Sequence, residues 1–186
     1  HRTRQILGIG LSHLGLLPES ITLVCTPLYS NTTITTWWPS IVSGATLIIM
    51  SKFDAEHALA LISQHKVTNT MLVPVQYDRI MQLKNYKDFD LRSMQVKYST
   101  SAPLRVALKR DIIDNFPGEL IEFYGLTEGG ASTLFQGSIA KEMGKLGSVG
   151  PAVPESKIKI LDDTGKELPA GEIGEIVGHS SNMSNG

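Results

Sequence analysis

Residues 45–73 read ATLIIMSKFDAEHALALISQHKVTNTMLV, and this stretch decides the fold. It begins and ends with apolar, β-branched runs at residues 45–50 and 69–73, which are typical of buried strands. Between them, Asp54 can cap a helix whose apolar residues recur on one face: Ala55, Ala58, Leu59 and Ile62. Because two parallel strands need a crossover connection, the stretch predicts one strand–helix–strand unit.

Three more strand-like runs flank this unit, at residues 21–26, 94–99 and 119–124. The starts of the five runs are 24 or 25 residues apart, which is the spacing of a repeated strand–helix unit. The intervening segments predict helices: TITTWWPSIV, VQYDRIMQL after Pro74, and LRVALKRDIIDNF opened by Pro103. We therefore predict an α/β fold, with a parallel βαβ sheet that carries helices on both faces.

The composition of the chain changes after about residue 140, where glycine and proline become frequent. Residues 157–178, KIKILDDTGKELPAGEIGEIVG, contain two strand-like runs and the turn signal DDTG. They predict a small β-rich segment, either a hairpin or the start of a β-barrel subdomain. We expect an incomplete α/β subdomain over residues 1–140 and an incomplete β-hairpin or barrel portion over residues 141–186.

The overall composition excludes several classes of protein. Seventeen Lys and Arg face 18 Asp and Glu, a formal net charge of -1, so we expect no nucleic-acid partner bound through phosphate neutralisation. The single cysteine, Cys25, excludes an intrachain disulfide and a CxxC metal site. No apolar run reaches the ~20 residues of a membrane span, and we expect a cytoplasmic protein. The first residues, HRTRQ, lack a methionine, and we expect the chain to be a piece of a longer protein.

The candidate ligand site lies just beyond the predicted strands, because open α/β sheets bind ligands beyond the carboxyl ends of their strands. If all five strands are parallel, the segments that follow them crowd along one edge of the sheet. These segments are residues 26–31, 51–54, 73–77, 99–103 and 124–130.

The last of these segments, YGLTEGG at residues 124–130, carries the most chemistry. Tyr124 offers a flat face on which a purine can stack, and Gly125 allows a tight turn close to a ligand. Thr127 can donate its hydroxyl to a phosphate, and Glu128 can hold a divalent cation, which prefers oxygen ligands. The same residues also suit a strand end and a turn followed by a helix, with Glu128 near the helix N-terminus. The residues alone leave both interpretations open.

Several motifs, in order along the chain, resemble the adenylate-forming superfamily of acyl-CoA synthetases, peptide-synthetase adenylation domains and luciferases. Two stretches are similar to that family's Tyr-Gly-x-Thr-Glu loop and the hairpin after it: IEFYGLTE at residues 121–128, and GSVGPAVPESKIKILDDTGKELPAGEIGEI at residues 147–176. The stretch from residue 26, TPLYSNTTITTWWPSIVSGATL, resembles the acyl-CoA synthetase branch. STSAPL, residues 99–104, stands where that branch has a GGAPL-like loop.

The resemblance implies a nucleotide site and a catalytic pair. Tyr124 and Gly125 are implied to lie against the adenine, with the loop of residues 101–103 on its other side. Thr127 is implied to contact the AMP phosphate and Glu128 to coordinate Mg²⁺, and both are the implied catalytic residues. The residues of the loop that are implied to bind the nucleotide are Ser101, Ala102 and Pro103.

The resemblance also implies an acid-binding pocket. The residues at its mouth are Tyr29, Ser30 and Asn31, and those that line it are Val75 and Gln76. Two positions depart from the family pattern: Ser30 stands where many relatives carry histidine or an aromatic residue, and residues 100–101 replace a pair of glycines. The family's phosphate loop, ribose-binding aspartate and C-terminal lysine do not appear in this sequence, so we expect the isolated chain to be inactive.

The function implied for the parent protein is that of an ATP-dependent acid–CoA ligase of fatty-acid metabolism. Such an enzyme converts a fatty or aromatic acid and ATP to acyl-AMP, and then transfers the acyl group to coenzyme A. ATP, Mg²⁺ and coenzyme A are the implied cofactors and co-substrates. Two alternatives stay open: a peptide-synthetase-type adenylation domain, and a non-catalytic nucleotide- or lipid-binding module that lacks the phosphate loop. The sequence indicates neither the particular acid nor the oligomeric state.

Overall fold

The computed structural model describes residues 16–128, 130–154, 156–180 and 183. Within these ranges the chain forms a six-stranded sheet and a separate two-stranded sheet. The strands are β1 Ile21–Val24, β2 Thr46–Ile49, β3 Asn69–Leu72, β4 Val96–Ser99, β5 Glu119–Leu126, β6 Gly130–Gln136, β7 Ser156–Leu161 and β8 Glu175–Ser180. The helices are α1 Asn31–Ser43, α2 Ala55–His65, α3 Pro74–Met81, α4 Val106–Asn115 and α5 Gly137–Glu142. None of these helices combines the length and the apolar character that a membrane span needs.

The larger sheet is the predicted parallel sheet. Its strands lie in the order β2-β1-β3-β4-β5-β6, and all neighbours are parallel except β5 and β6. Leu72 at the end of β3 lies opposite Ser99 at the end of β4, and Ser99 lies opposite Glu122 of β5. The strand ends therefore share one edge of the sheet, as the sequence predicts.

Helices cover both faces of this sheet, which confirms the predicted architecture. Thr22 and Leu23 are neighbours in β1, so their side chains point to opposite faces. On the first face, the hydroxyl of Ser40 in α1 hydrogen-bonds to that of Thr22 at 2.8 Å. On the second face, Leu23 belongs to one buried apolar cluster with residues of α2, α3 and α4, among them Leu59, Ile62, Tyr77, Ile80 and Ile112.

α1 forms despite its threonines and its internal Pro39. Its sheet-facing side consists of buried hydroxyl residues, Thr33, Thr36 and Ser40, rather than apolar ones. Thr36 donates to the carbonyl of Thr33 at 3.1 Å, and Ser40 donates to the carbonyl of Thr36 at 2.8 Å. Because these hydroxyls find acceptors inside the helix, they can be buried without the cost of an unpaired polar group.

The ends of two helices test the local sequence signals. Asp54 caps α2 as predicted, since its Oδ1 accepts a hydrogen bond from the backbone N–H of His57 at 2.8 Å. The prediction that Pro103 opens α4 is wrong, because this helix begins at Val106. The backbone is still extended at Arg105, and the buried side chain of Leu104 fixes the chain to the core before the helix starts.

The sequence does not predict β6, which pairs antiparallel with β5 and forms an edge of the sheet. Its sequence, GASTLFQ from residue 130, starts with a glycine and contains no run of apolar β-branched residues. The strand is stabilised by its partner β5 and by the burial of Phe135. The pairing is local in sequence, since Leu126 at the end of β5 lies opposite Gly130 at the start of β6.

The predicted β-rich segment is present after residue 150. β7 and β8 pair antiparallel, from Ser156 opposite Ser180 to Leu161 opposite Glu175. The DDTG signal forms the turn after β7, where Oδ1 of Asp162 accepts hydrogen bonds from the backbone N–H groups of Thr164 and Lys166 at 2.9 and 3.0 Å. The division of the chain at residues 140 and 141 stays a prediction.

Candidate active site

The candidate site is the edge of the sheet where β1, β3, β4 and β5 end, which we call the rim. It consists of residues 25–32, 73–77, 99–103 and 124–128. Since the four strands are parallel to their neighbours, these segments emerge on the same side of the sheet. The segments with the predicted site residues therefore come together, although they are far apart in the sequence.

Hydrogen bonds connect the first three segments of the rim. Nε2 of Gln76 donates to the carbonyl of Cys25 at 3.2 Å, and Oε1 of Gln76 accepts from the N–H of Val73 at 3.0 Å. The hydroxyl of Tyr77 donates to the carbonyl of Tyr98 at 2.8 Å. Gln76 is buried, so the polar end of this predicted acid-binding residue contacts backbone groups of the rim.

Two further hydrogen bonds hold the loop of residues 99–103 between α1 and β5. The hydroxyl of Thr100 donates to the carbonyl of Phe123 at 2.8 Å, which fixes the loop against the residue before Tyr124. The hydroxyls of Thr32 and Ser101 lie 2.5 Å apart. The loop and the Tyr124 segment are therefore neighbours, as the proposed nucleotide site requires.

Tyr124 lies in β5 beside an irregularity of the sheet. It pairs with Thr133 of β6, and the register of the two strands shifts between Tyr124 and Gly125. The side chain of Tyr124 is 38% exposed. The pairing skips Ser132 of β6, and such irregularities are frequent next to ligand sites.

The GSVGP segment, residues 147–151, runs along the outer edge of β6, next to an antiparallel bridge between Thr133 and Ala152. The hydroxyl of Thr133 donates to the carbonyl of Val149 at 2.7 Å, and the N–H of Leu134 donates to the carbonyl of Pro151 at 3.0 Å. Gly150 has a φ of 88°, and a Cβ on it would lie 2.1 Å from the carbonyl oxygen of Leu134. The position therefore admits only glycine, which explains why the GSVGP motif has a glycine at this position.

The loop residues Ser101, Ala102 and Pro103 are exposed at the rim. Ser101 has a φ of 76°, in the left-handed region that residues other than glycine seldom adopt. Ala102 and Pro103 line an open groove of about 600 Å³ between α3 and α4. Val75, predicted to bind the acid, lines the same groove, so one predicted acid-binding residue and two predicted nucleotide-binding residues share a surface.

The other predicted acid-binding residues lie between β1 and α1. Tyr29 is 89% exposed, and Asn31 is the first residue of α1. Ser30 occupies the N-cap position, but its side chain makes no capping hydrogen bond. The Ser30 hydroxyl is thus not committed to the end of the helix.

Thr127 and Glu128 lie exposed in the turn between β5 and β6. The alternative in which a helix follows this turn is wrong, because a strand follows it. Among the described residues, no group of three or more His, Cys, Asp and Glu side chains converges on a point that could hold a metal ion. A single exposed carboxylate fits Mg²⁺ that is also bound by substrate phosphates, because Mg²⁺ commonly takes one or two protein carboxylates there.

Cys25, Lys97, Lys109 and Glu122 are ionisable groups that the fold buries. Burial raises the pKa of the Cys25 thiol to about 12, so this cysteine is not a nucleophile near neutral pH. Burial lowers the pKa of Lys97 to about 7, and its Nζ donates to the carbonyls of Phe116 and Pro117 at 2.8 Å each. Lys109 forms a buried ion pair with Glu122 at 2.6 Å. The two lysines connect α4 and the residues after it to β4 and β5, and none of these four groups is exposed at the rim.

Sequence reasoning missed the parts that Thr32 and Thr100 play in connecting the rim. Both lie in hydroxyl-rich runs that follow a predicted strand, NTTITT for Thr32 and STSAP for Thr100. Such runs at strand ends were the available signal, but the partners of each hydroxyl depend on the tertiary fold. The functional roles of the twelve predicted site residues stay predictions.

Comparison with known proteins gives a consistent result. A 4-coumarate–CoA ligase 1 of Glycine max is 38% identical over 136 residues, which is 71% of this chain and 46% of that protein. The medium/long-chain-fatty-acid–CoA ligase FadD8 of Mycobacterium tuberculosis is 27% identical over 154 residues, which is 83% of this chain and 27% of that protein. The crystal structure of ATP-bound MatB from Rhodopseudomonas palustris superposes with a TM-score of 0.84 at 27% identity, and covers 99% of this chain and 36% of that one.

The chain spans less than half the length of the curated relatives it matches. The sequence profile of the AMP-binding enzyme family matches residues 3–186, which is almost the whole chain. The match covers the parallel sheet, the rim and the β-rich segment alike. The chain therefore belongs to the AMP-binding enzyme family.

Proposed function

We propose that this chain is part of an ATP-dependent acid–CoA ligase, in which the rim binds the acyl-adenylate. The observation that carries the proposal is the pair of hydrogen bonds from Thr100 and Ser101, which hold the 99–103 loop beside Tyr124 and the start of α1. The names of the two relatives, a 4-coumarate–CoA ligase and a fatty-acid–CoA ligase, support the same reaction class.

The nucleotide half of the rim consists of Tyr124, Gly125 and the 99–103 loop. The exposed face of Tyr124 stacks on the adenine, and Ser101, Ala102 and Pro103 approach the ring from the other side. Stacking and backbone contacts suit adenine, because it has a large flat face and a polar edge. The MatB structure, which has the same fold, is ATP-bound, and this supports a nucleotide ligand for this fold.

The acid half of the rim consists of Tyr29, Ser30 and Asn31 with Val75 and Gln76. The exposed apolar side chain of Val75 suits the hydrocarbon part of a fatty or aromatic acid. Gln76 is buried and supports the acid half indirectly. Its amide bonds to Cys25 and Val73, and so keeps β1 and α3 together.

The reaction has two steps, and each needs the two halves side by side. A carboxylate oxygen of the acid attacks the α-phosphorus of ATP, the bond to the β-phosphate oxygen breaks, and pyrophosphate leaves. The thiolate of coenzyme A then attacks the acyl carbon, the bond to the phosphate oxygen breaks, and AMP leaves. Both steps depend chiefly on the positioning of the reactants and on the neutralisation of phosphate charge.

In the first step, two exposed residues act on the phosphates, one through a hydrogen bond and one through its charge. Thr127 donates its hydroxyl to the α-phosphate, and the carboxylate of Glu128 would hold Mg²⁺. When bound, Mg²⁺ neutralises the charge that develops on the phosphate oxygens. The turn between β5 and β6 gives both side chains free access to a ligand at the rim.

The experiment uses the full-length protein with Glu128→Gln, which keeps the shape of the side chain and removes its charge. The control is Glu172→Gln, because Glu172 is exposed in the connection between β7 and β8. Acid-dependent ATP–pyrophosphate exchange at limiting Mg²⁺ is expected to fall about 10- to 100-fold in the first variant and to stay at the wild-type level in the second. Unchanged exchange in Glu128→Gln would remove the assigned role.

Neither alternative gains support from the relatives, whose names are those of CoA ligases. A peptide-synthetase-type protein would pass the acyl group to a carrier-protein thiol, and a non-catalytic module would show no exchange. The use of Mg²⁺ and coenzyme A, a place in fatty-acid metabolism and a cytoplasmic location belong to the same proposal.

A further inference from the structure

The start of α1 is fixed firmly to the end of β1. The hydroxyl of Thr33 donates to the carbonyl of Pro27 at 2.6 Å and lies 2.7 Å from that of Thr26. The N–H of Thr33 donates to the carbonyl of Ser30 at 3.0 Å. Thr33 is fully buried, so the first turn of the helix is a rigid support. Thr32 precedes it on that turn, and its side chain points to the 99–103 loop.

The loop on the other side carries an unusual backbone. Ser101 and Lys66 are the two non-glycine residues with positive φ in the described part of the chain. Lys66 ends helix α2, where a left-handed residue is common. Ser101 has no such local reason, and an exposed loop that has a Cβ in this conformation needs support from elsewhere. The hydroxyl of Thr32, 69 residues away in sequence, provides that contact.

We propose that Thr32 is a positioning residue, whose hydrogen bond to Ser101 holds the 99–103 loop in its left-handed conformation at the nucleotide half of the rim. This inference rests on the proposed function, because the loop matters for catalysis only if the rim binds the nucleotide. Thr32 also follows Asn31 directly. The bond therefore joins the acid half of the rim to the nucleotide half.

The isosteric change Thr32→Val removes the hydroxyl and keeps the volume. In the full-length protein, the KM for ATP in acid-dependent pyrophosphate exchange is expected to rise about two- to tenfold, the range for one hydroxyl hydrogen bond. The KM for the acid changes less. Thr32→Ser restores the wild-type KM for ATP, because it returns the hydroxyl. The control Thr46→Val, an exposed position at the far end of the sheet, leaves both constants unchanged.

A second comparison tests whether Thr32 acts by positioning the 99–103 loop or by touching a substrate itself. It repeats Thr32→Val in a protein that already carries Ser101→Gly. Glycine adopts a φ of 76° without support, so Ser101→Gly makes the loop independent of Thr32. In the Ser101→Gly background, Thr32→Val is expected to have no further effect on the KM for ATP. If Thr32→Val instead raises the KM to the same extent in both backgrounds, or raises only the KM for the acid, the inference is wrong.

Hydrogen–deuterium exchange provides a readout that does not depend on activity. Amides of residues 99–104 are expected to exchange faster in Thr32→Val than in the wild type, and at the wild-type rate in Thr46→Val. Unchanged exchange in Thr32→Val overturns the inference, whatever the kinetics. A wild-type protein without acid-dependent pyrophosphate exchange would instead contradict the proposed function, while the amide rates would still decide the role of Thr32.

Discussion

The buried ion pair between Lys109 and Glu122 provides the sharpest test of how α4 is attached to β5, the strand that carries Tyr124. The two side chains are only 2% and 4% exposed, and their charged atoms lie 2.6 Å apart. Lys109 also donates to the carbonyl of Ser148 at 2.7 Å, and its Nζ lies 4.1 Å from the centre of the Phe135 ring. One cation therefore connects α4, β5, β6 and the GSVGP segment.

The change Lys109→Met keeps the length of the side chain and removes its charge. The carboxylate of Glu122 then stays buried without its partner, which costs about 3–5 kcal/mol of unfolding free energy. In urea denaturation of the full-length protein, followed by circular dichroism, the transition that reports this region is expected to shift down by about 1–2 M. The control is Lys141→Met, whose exposed pair with Asp114 contributes at most about 1 kcal/mol.

The double variant Lys109→Met/Glu122→Met removes both charges. Since apolar residues of similar volume can replace a buried pair at little cost, its stability is expected to return to within about 1 kcal/mol of the wild type. The reasoning is refuted if Lys109→Met costs no more than Lys141→Met. It is also refuted if the double variant is less stable than Lys109→Met alone.

Two further predictions concern stability. Gly150→Ala is expected to cost about 1–3 kcal/mol more than Gly165→Ala, because both positions have positive φ but only Gly150 would place a Cβ against a backbone carbonyl. Equal shifts of the thermal midpoint in the two variants would contradict the packing around Gly150. For Glu119, burial raises the carboxyl pKa, but hydrogen bonds from Ser138, Gln136 and Leu120 outweigh burial and lower the pKa below its usual 4.5. The stability that the Glu119 carboxylate contributes is therefore present above pH 4.5 and is lost as the pH falls through the lowered pKa. The variant Glu119→Gln is expected to lose stability less steeply on acidification than the wild type. Unfolding measured at about pH 6 and at lower pH checks this.

Much of the fold follows from local sequence patterns. The β-branched runs around Leu23 and Ile121 are strands buried in the sheet, and that environment favours continuous apolar residues. The run around Ile48 forms the edge strand β2, which is partly exposed. The helix signal at Asp54 is equally local, since the capping bond reaches only to His57. These features depend on residues a few positions apart and are therefore visible in the sequence.

Other parts of the fold are not visible in local patterns. α4 begins at Val106 rather than at Pro103 because the loop before it is held by Thr32 of α1 and by Phe123 of β5. The contact with Thr32 lies far outside any local pattern around α4. β6 forms a hairpin with the preceding β5, but it starts with a glycine and no run of apolar β-branched residues marks it as a strand.

The candidate site divides in the same way. The rule that strand ends share an edge places Tyr124, Ser101 and Asn31 together without knowledge of any contact. The rule does not indicate that Gln76 is buried or that Ser101 has a left-handed backbone, because both depend on the carbonyls and hydroxyls that the folded chain brings near them.

The most direct test of the account is a crystal structure of the full-length protein with a non-hydrolysable acyl-adenylate analogue. The account predicts the adenine ring stacked on Tyr124, with residues 101–103 on its opposite side and the acyl group directed to the start of α1. An analogue bound away from Tyr124, for example wholly within the groove between α3 and α4, would contradict it.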